Sequence, residues 1–297
     1  MTQKKITIKP TIALVGAGRL ATFLAVALHD AGFKIAEIVT RNSPRSRRRA
    51  QSLAAKVGAK AVTASPAALN ATLLWFCVPD REIRGAASVL AEHLLARTRA
   101  HERVKVRFAL HSSGALSSRE LNPLRIAGVA VASAHPLMTF VAGAHPSLTD
   151  VPFAMEGDAA ATRVARRIVR ALCGESFSLR ASRKAAYHMW ATLTSPLLVA
   201  FLVTLEEAAS AAGLSREDAR RKSLPIIRQT LANYARLGPG RSFSGPLIRG
   251  DADTVAKHMA VLKKHSRTRK VYVALAQAAL RGLPVTNRQE LRKVLQA

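Results

Sequence analysis

Acidic residues, cysteines and aromatic side chains are scarce in this sequence. Eighteen of its 297 residues are aspartate or glutamate, against 46 lysines and arginines. The two cysteines, Cys77 and Cys173, form no CxxC pair, so we expect neither a disulfide framework nor a metal site. Cys77 lies in the apolar stretch LLWFCV and is interpreted as a buried thiol. Aromatic residues make up 5% of the chain, too few for the stacking platform that single-stranded nucleic acids bind.

Long apolar runs are missing as well. No run reaches the roughly 18 to 20 apolar residues that a membrane-spanning helix needs. The longest candidate, LTSPLLVAFLVTL, is interrupted by Pro196 and followed by Glu206 and Glu207. The basic segment at residues 1–10 has no apolar stretch of the kind found in signal peptides. We therefore expect no membrane partner and a cytoplasmic location.

The shortage of acids leaves an extreme formal net charge of +28. Such a charge is typical of proteins that bind nucleic acids, anionic membrane surfaces or anionic small molecules. Apart from the clusters SPRSRRRA and VLKKHSRTRK, however, the basic residues are dispersed over predicted helices. We interpret most of them as solvated surface. A nucleic-acid partner is the least favoured hypothesis because no recognition motif accompanies the charge.

Short apolar runs alternate with helical patterns over the first 180 residues, and a hydrophobic content of 49% is enough to form a core. This alternation predicts an α/β fold with a doubly wound, mostly parallel Rossmann sheet that helices cover on both faces. After Arg180 the pattern is helical throughout. We therefore predict a dinucleotide-binding domain at 1–180 and an all-helical domain at 181–297. Strands are predicted at 11–15, 34–40, 59–63, 73–78, 104–110, 129–133, 151–156 and 176–180.

A glycine turn follows the first predicted strand. Gly16, Gly18 and Ala21 form the pattern GxGxxA between a strand and a helix. The first glycine permits a sharp turn, the second lets a pyrophosphate approach the backbone, and the small third residue lets the helix pack on the strand. The helix begins near Arg19 and Leu20, where its free N–H groups face the phosphates. The sequence thus favours dinucleotide binding over a tight turn of chance composition.

The residues after the second strand indicate which dinucleotide binds. Arg41, Asn42 and Ser43 stand where NAD-specific sites place a carboxylate, and a guanidinium can grip a 2′-phosphate with two donors. We therefore expect NADP(H) as the cofactor. If the strand ended earlier, Glu37 would bind the ribose and the site would favour NAD. The arginines at 45–49 are interpreted equally well as phosphate contacts or as the solvated start of the next helix.

Three sequence signatures follow predicted strands, at the sheet edge where ligands bind in open parallel sheets. The first is CVPD, in which the backbone of Val78 and Pro79 is predicted to line the nicotinamide side and Asp80 to cap the following helix. The other two are HSSGAL at 111–116 and SAHPLMTF at 133–140.

The latter two signatures supply polar side chains. His111, Ser112 and Ser113 leave the fifth strand together, and His135 leaves the sixth. A single histidine is more often a structural residue than a catalyst. Because two histidines flank one predicted cleft, the catalytic and structural interpretations both stay open.

The helical domain offers further polar groups. Lys184, His188, Ala191 and Ser195 recur at helical spacing and form a polar stripe on an otherwise apolar helix. A stripe of this kind is predicted to face the cleft between the domains.

Later in the chain, GPLIRGDADTVAKH places a glycine-bounded loop before a helix. Asp251 or Asp253 is expected to cap that helix, with His258 about two turns inside. Arg249 could instead clamp a substrate carboxylate.

The chain contains the motifs GAGRLA, VPD, HSSGAL, AHPLMTF, PFAMEGD, KAAYH and GPLIRGDADTVAKH. In these motifs it resembles a bacterial family of Rossmann-like oxidoreductases. These proteins carry a C-terminal domain of unknown function (number 2520) and are related to pyrroline-5-carboxylate reductase and NADP-dependent deazaflavin oxidoreductases. The resemblance implies NADP(H) as cofactor and a helical domain that pairs two subunits, but fixes no substrate. One departure is Pro196, which stands where relatives tend to have the asparagine of a Ser-Asn pair.

These observations predict an NADPH-dependent reductase of a small, anionic carbonyl or imine compound. Lys184 or His111 would donate a proton, Arg249 would orient a carboxylate, and Ser112 and Ser113 would bind substrate or the nicotinamide amide. His188, which lies in the same polar stripe as Lys184, is a further candidate for a catalytic residue. A non-catalytic NADP-binding regulatory module is the alternative, and a nucleic-acid-binding protein is less favoured still.

Overall fold

The computed structural model describes residues 9–64, 69–144 and 146–296. Most of the basic amino-terminal segment, residues 1–8, lies outside these ranges. The chain divides into two compact units, Met1–Thr192 and Leu193–Ala297. The division falls later than residue 180, so the first unit includes most of the helix that begins at Lys184.

The first unit is built on one eight-stranded sheet with the order β3-β2-β1-β4-β5-β6-β7-β8. Neighbouring strands are parallel except for β6 and β7, which are antiparallel. The predicted doubly wound, mostly parallel Rossmann sheet is confirmed. The strands among the described residues are β1 (Ile12–Val15), β2 (Ile35–Thr40), β3 (Lys60–Thr63), β4 (Leu73–Phe76), β5 (Phe108–His111), β6 (Ala130–Pro136), β7 (Pro152–Gly157) and β8 (Glu175–Ser178).

Helices cover both faces of this sheet. Leu24 of the first helix and Ile168 of the fifth belong to the core on one face, whereas Ile83 and Leu90 of the third belong to the core on the other. All four residues of β4 are buried, as expected for a central strand. The helices are α1 (Arg19–Asp30), α2 (Pro44–Lys56), α3 (Asp80–Arg99), α4 (Asn122–Ile126), α5 (Ala159–Ala171) and α6 (Lys184–Thr194).

The second unit is helical in its described residues. Its core contains Val255, Leu280, Leu291 and Leu295. The helices are α7 (Pro196–Ser210), α8 (Arg216–Ser242, interrupted at Gly238), α9 (Ala252–Leu262), α10 (Ser266–Gly282) and α11 (Arg288–Gln296).

Ser195 separates α6 from α7. Its φ and ψ of −124° and −75° are not helical, and Pro196 is the first residue of α7, where the N–H that proline lacks would have no helical partner. The polar stripe predicted from Lys184 to Ser195 therefore loses its last member, because the helix ends before it.

One helical segment is comparable with a membrane span in length and composition. The segment Ala181–Ser210 is long and apolar enough to cross a membrane by length and composition, and none of its most apolar window is buried within the chain. Two separate helices make up most of this segment, since α6 ends at Thr194 and α7 begins at Pro196. The expectation of no membrane partner stays a prediction. An exposed apolar surface of this kind is also what subunits bury between them in soluble oligomers.

Candidate functional site

The glycine turn after β1 has a backbone conformation at Gly16 that only glycine adopts without strain. Gly16 has a φ of +108°, and a Cβ atom there would lie 2.7 Å from the carbonyl oxygen of Cys77. Its N–H donates to the carbonyl of Val39 at 2.8 Å, so the turn is fixed between the ends of two neighbouring strands. A side chain at this position would push the turn away from β4.

Helix α1 begins at this turn without a side-chain cap. Gly18 is the N-cap residue, and no side chain of the described residues accepts a hydrogen bond there. The first-turn N–H groups of Arg19, Leu20 and Ala21 have no acceptor inside the helix, because an α-helix leaves its first donors unpaired. Ala21 is fully buried, so the helix lies close to the sheet. The predicted pyrophosphate site thus has the donors, positive dipole end and close approach that the group requires.

A cavity of about 520 Å³ adjoins the turn. Ser46 and Arg49 of α2 line it beside Arg41, so Arg49 is the arginine of the 45–49 cluster that lines the cavity. Asn42 and Ser43 do not line it. The hydroxyl of Ser43 accepts from the Ser46 N–H at 3.3 Å and caps α2, and its assignment as a cofactor ligand stays a prediction. Other lining residues are Gly16, Gly18, Val39, Thr40, Ala64, Cys77, Val78, Pro79, Glu82, Gly85, Ala86 and Val89.

Glu37 is not a ribose ligand. It lies in the middle of β2, which continues to Thr40, and only 2% of its surface is exposed. The backbone N–H of Asn70 donates to one carboxylate oxygen at 3.4 Å. Burial raises the pKa of this carboxyl group. The acid that would have favoured NAD is therefore inside the protein and away from the strand end.

The serines after β5 make hydrogen bonds within the protein, and their assignment to substrate or the nicotinamide amide stays a prediction. Ser112 accepts a hydrogen bond from the Trp75 indole at 2.8 Å. The Ser113 hydroxyl donates to a carboxylate oxygen of Asp80 at 2.8 Å and accepts from the Leu116 N–H at 2.9 Å. Asp80 is the first residue of α3, and it makes no capping hydrogen bond, so the predicted cap is wrong. Its carboxylate holds the HSSGAL turn instead.

His111 is fully buried at the end of β5. Its Nδ1 accepts from the Ser113 N–H at 3.1 Å, and its Nε2 has no hydrogen-bond partner among the described residues. Burial lowers the pKa of His111 to about 4, so the ring is neutral near pH 7. A neutral, inaccessible imidazole supports the turn and is poorly suited to the proton-donor role that the sequence left open for it.

Lys184, the first residue of α6, extends into this turn. Its ammonium donates to the carbonyl of Ser113 at 2.6 Å and to the hydroxyl of Ser133 at 2.7 Å, and 2% of the residue is exposed. Burial lowers the pKa of Lys184 to about 8, although the carboxylates of Glu156 and Asp80 oppose the shift. The amine therefore titrates close to neutrality, a property typical of catalytic lysines.

Two further groups stand beside Lys184. One is His135, which the sequence places at the predicted cleft, and the other is Tyr187, which the sequence analysis does not name. His135 at the end of β6 and Tyr187 of α6 share a hydrogen bond of 2.8 Å between Nδ1 and the phenol oxygen. Burial lowers the pKa of His135 to about 4 and raises that of Tyr187 to about 12. Tyr187 follows Lys184 by three residues, so helical spacing could have identified it.

Gly114 explains how these rings fit against the turn. A Cβ atom at Gly114 would lie 2.6 Å from the ring of His188 and 2.9 Å from Nε2 of His135. His188 is exposed, and its ring centroid is 6.3 Å from that of His135. The absence of a side chain at Gly114 thus lets two histidines approach the HSSGAL backbone.

Arg249 lies in the second unit, on an ordered loop before α9. The N–H of Gly250 donates to the Leu247 carbonyl, and the Thr286 N–H donates to Ile248, both at 3.2 Å. Asp251 caps α9 by accepting from the Thr254 N–H at 3.0 Å, as predicted. Arg249 itself is exposed, and its role as a carboxylate clamp stays a prediction.

Comparison with protein families agrees with this architecture. Residues 3–136 match a Rossmann-like domain, and residues 151–279 match the domain of unknown function DUF2520. The chain thus carries a Rossmann-like domain followed by a DUF2520 domain. The DUF2520 match begins one residue before β7, so this domain contributes the last two strands of the sheet as well as helices. No curated protein sequence matches the chain.

Solved structures share the fold of this DUF2520 protein. A proposed NADP oxidoreductase of Bacteroides fragilis is 22% identical, with 91% of this chain and 97% of that chain covered and a TM-score of 0.71. A pyrroline-5-carboxylate reductase of Coxiella burnetii is 16% identical, with 97% and 99% covered and a TM-score of 0.57. A reductive aminase of Aspergillus terreus, in complex with NADPH and ethyl-5-oxohexanoate, is 15% identical, with 96% and 99% covered and a TM-score of 0.60. At such identities the likeness concerns the fold, which is one that NADP-dependent reductases use.

Proposed function

We propose that the protein is an NADP(H)-dependent oxidoreductase that reduces a small carbonyl or imine compound bearing a carboxylate. The observation that carries this proposal is the cavity of about 520 Å³ beside the glycine turn, with Arg41 and Arg49 in its lining. Such a cavity has the donors for a pyrophosphate and the guanidinium groups for a 2′-phosphate.

The residues divide the binding task by their positions. Gly16 and Gly18 leave the backbone open to the pyrophosphate, and Arg41 and Arg49 are the candidate donors to the 2′-phosphate. Val78 and Pro79 follow β4 and are proposed to face the nicotinamide. When bound, the nicotinamide supplies or accepts the hydride.

Lys184 is the proposed proton donor. Negative charge that grows on the oxygen or nitrogen of the substrate needs a nearby acid, and an amine with a pKa of about 8 is protonated at neutral pH. Two of its three N–H groups are held by Ser113 and Ser133, which leaves one for a substrate. Arg249 is proposed to orient the substrate carboxylate.

The first experiment measures coenzyme binding and then turnover. NADPH and NADH are titrated by calorimetry, and 2-oxo acids resembling ketopantoate and cyclic imines resembling pyrroline are screened by loss of nicotinamide absorbance. We expect NADPH to bind more tightly than NADH, and kcat/KM to fall as the pH rises through about 8. Lys184→Met should keep coenzyme affinity and lose turnover, whereas the exposed Lys105→Met serves as the matched control. Absence of binding by either coenzyme would contradict the proposal.

A non-catalytic NADP-binding module is the second candidate. The observation that favours it is the internal bonding of the polar groups after β5, since Lys184 donates to the carbonyl of Ser113 and only 2% of Lys184 is exposed. Tight NADPH binding without turnover of any 2-oxo acid or cyclic imine would support this candidate over the reductase.

We also propose that the protein forms a homodimer through its helices. Large apolar side chains are exposed on α6, α7 and α8, among them Trp190 (50%), Val199 (58%) and Ile226 (69%). Light scattering on the purified protein should give twice the 31.9 kDa chain mass. A monomer that partitions into phospholipid vesicles would contradict the dimer and favour the membrane interpretation of this surface. A cytoplasmic location stays a prediction.

A further inference from the structure

An ion pair joins two walls of the coenzyme cavity. Arg41 directly follows β2, and Glu82 lies in the first turn of α3. Arg41 Nη1 donates to Glu82 Oε1 at 3.0 Å, and both residues line the cavity. The side chain of Glu82 is 22% exposed and that of Arg41 is 72% exposed, so the pair lies where the cavity opens to solvent.

The carboxylate of Glu82 thus binds Arg41, the arginine to which we assign the 2′-phosphate. Glu82 is the only acidic residue among the described residues that line the cavity. A phosphate monoester carries a charge of about −1.5 to −2 at neutral pH, so it competes with the carboxylate for the guanidinium and is repelled by it. A ribose with a free 2′-hydroxyl meets no such repulsion.

We propose that Glu82 is a coenzyme-selectivity residue that holds Arg41 and thereby weakens the binding of 2′-phosphorylated nucleotides. The inference rests on the proposed function in one respect, the assignment of this cavity to the adenosine end of NADP(H). An exposed ion pair contributes up to about 1 kcal/mol, equivalent to about fivefold in affinity, and removal of the neighbouring negative charge adds to this. The selectivity of the protein would then be lower than its arginines alone provide.

The test uses adenosine nucleotides that have no nicotinamide. Adenosine 2′,5′-bisphosphate and 5′-AMP are titrated by calorimetry into the wild type, Glu82→Gln, Arg41→Met and the double variant. We expect Glu82→Gln to bind the bisphosphate about three- to tenfold more tightly and 5′-AMP within about twofold of the wild type. The gain should disappear in the Arg41→Met background and shrink as salt is raised. Glu92→Gln, which changes an exposed acid of the same helix outside the cavity, is the matched control.

Three results would overturn the inference. Weaker 5′-AMP binding by Glu82→Gln would make Glu82 a ribose ligand. A gain that persists without Arg41 would mean that the ion pair is not its cause. An equal gain from Glu92→Gln would mean that net charge alone is responsible. Because the probes have no nicotinamide, failure of every carbonyl or imine substrate would count against the reductase and leave these binding results intact.

Discussion

Replacing Lys184 by methionine removes a buried cation from the first unit and tests the electrostatics of the site directly. The side chain keeps a similar length and fills the same space, but it neither carries charge nor donates hydrogen bonds. The hydroxyl of Ser133 loses its donor, whereas the carbonyl of Ser113 keeps a hydrogen bond of 3.3 Å from that hydroxyl. This loss costs about 1–3 kcal/mol for a buried group left unpaired, and it does not depend on pH.

The pH-dependent part follows from the pKa. A lysine in the unfolded chain titrates near 10.5, whereas the pKa of Lys184 in the folded protein is about 8. Between these values the unfolded chain binds a proton that the folded protein does not, so the free energy of unfolding rises with pH. The difference between the unfolded and folded pKa values corresponds to about 3 kcal/mol of unfolding free energy. Above the unfolded pKa this contribution is complete, and it is lost as the pH falls through the folded pKa.

Urea denaturation of the wild type and Lys184→Met, followed by circular dichroism from neutral pH to about pH 10.5, measures the difference between their unfolding free energies. We expect this difference to be constant below about pH 8 and then to increase by about 3 kcal/mol in favour of the wild type. For Lys105→Met, which changes an exposed lysine, the difference in unfolding free energy from the wild type should not change with pH. A flat result for Lys184→Met would mean that water reaches the amine and that the burial argument is wrong.

Three further predictions concern other parts of the protein. Gly16→Ala should weaken NADPH binding by at least about tenfold, because its Cβ atom would meet backbone and its φ is positive; calorimetry measures the loss. Gly114→Ala should reduce turnover more than thermal stability, because the exposed ring of His188 can move aside but no longer lies against the turn; steady-state kinetics and calorimetric melting separate the two. Leu291→Ala, in the core of the second unit, should lower the unfolding free energy by about 2–5 kcal/mol, while the exposed Leu275→Ala of α10 should change it by less than about 0.5 kcal/mol.

Much of the fold could be predicted because its signals are local. Alternating strands and helices, the all-apolar β4 and the glycine turn identify a Rossmann sheet without knowledge of contacts. The strand predicted at 104–110 shows the limit, since β5 begins at Phe108. Its length is set by pairing with Leu73–Phe76 of β4, and that pairing is information from the neighbouring strand.

The site was harder to predict, because residue type does not give side-chain direction. Ser112 and Ser113 stand at the expected sheet edge. The hydroxyl of Ser112 accepts a hydrogen bond from Trp75, and the hydroxyl of Ser113 donates one to Asp80. The cap predicted at Asp80 failed because β4 ends at Phe76 and α3 begins with Asp80 itself. Helical spacing from Lys184 indicates the position of Tyr187 but not its role, because its hydrogen-bond partner His135 is 52 residues away in the sequence.

The antiparallel strand β7 determines which fragments of this protein can exist alone. It pairs with β6 over five residues, from Ala132 opposite Gly157 to Pro136 opposite Phe153. A fragment cut where the Rossmann-like match ends, at residue 136, would expose that ladder of unpaired N–H and C=O groups on a long apolar edge. Such a fragment is expected to aggregate, so the unit that can be expressed, crystallised or fused must extend at least through β8.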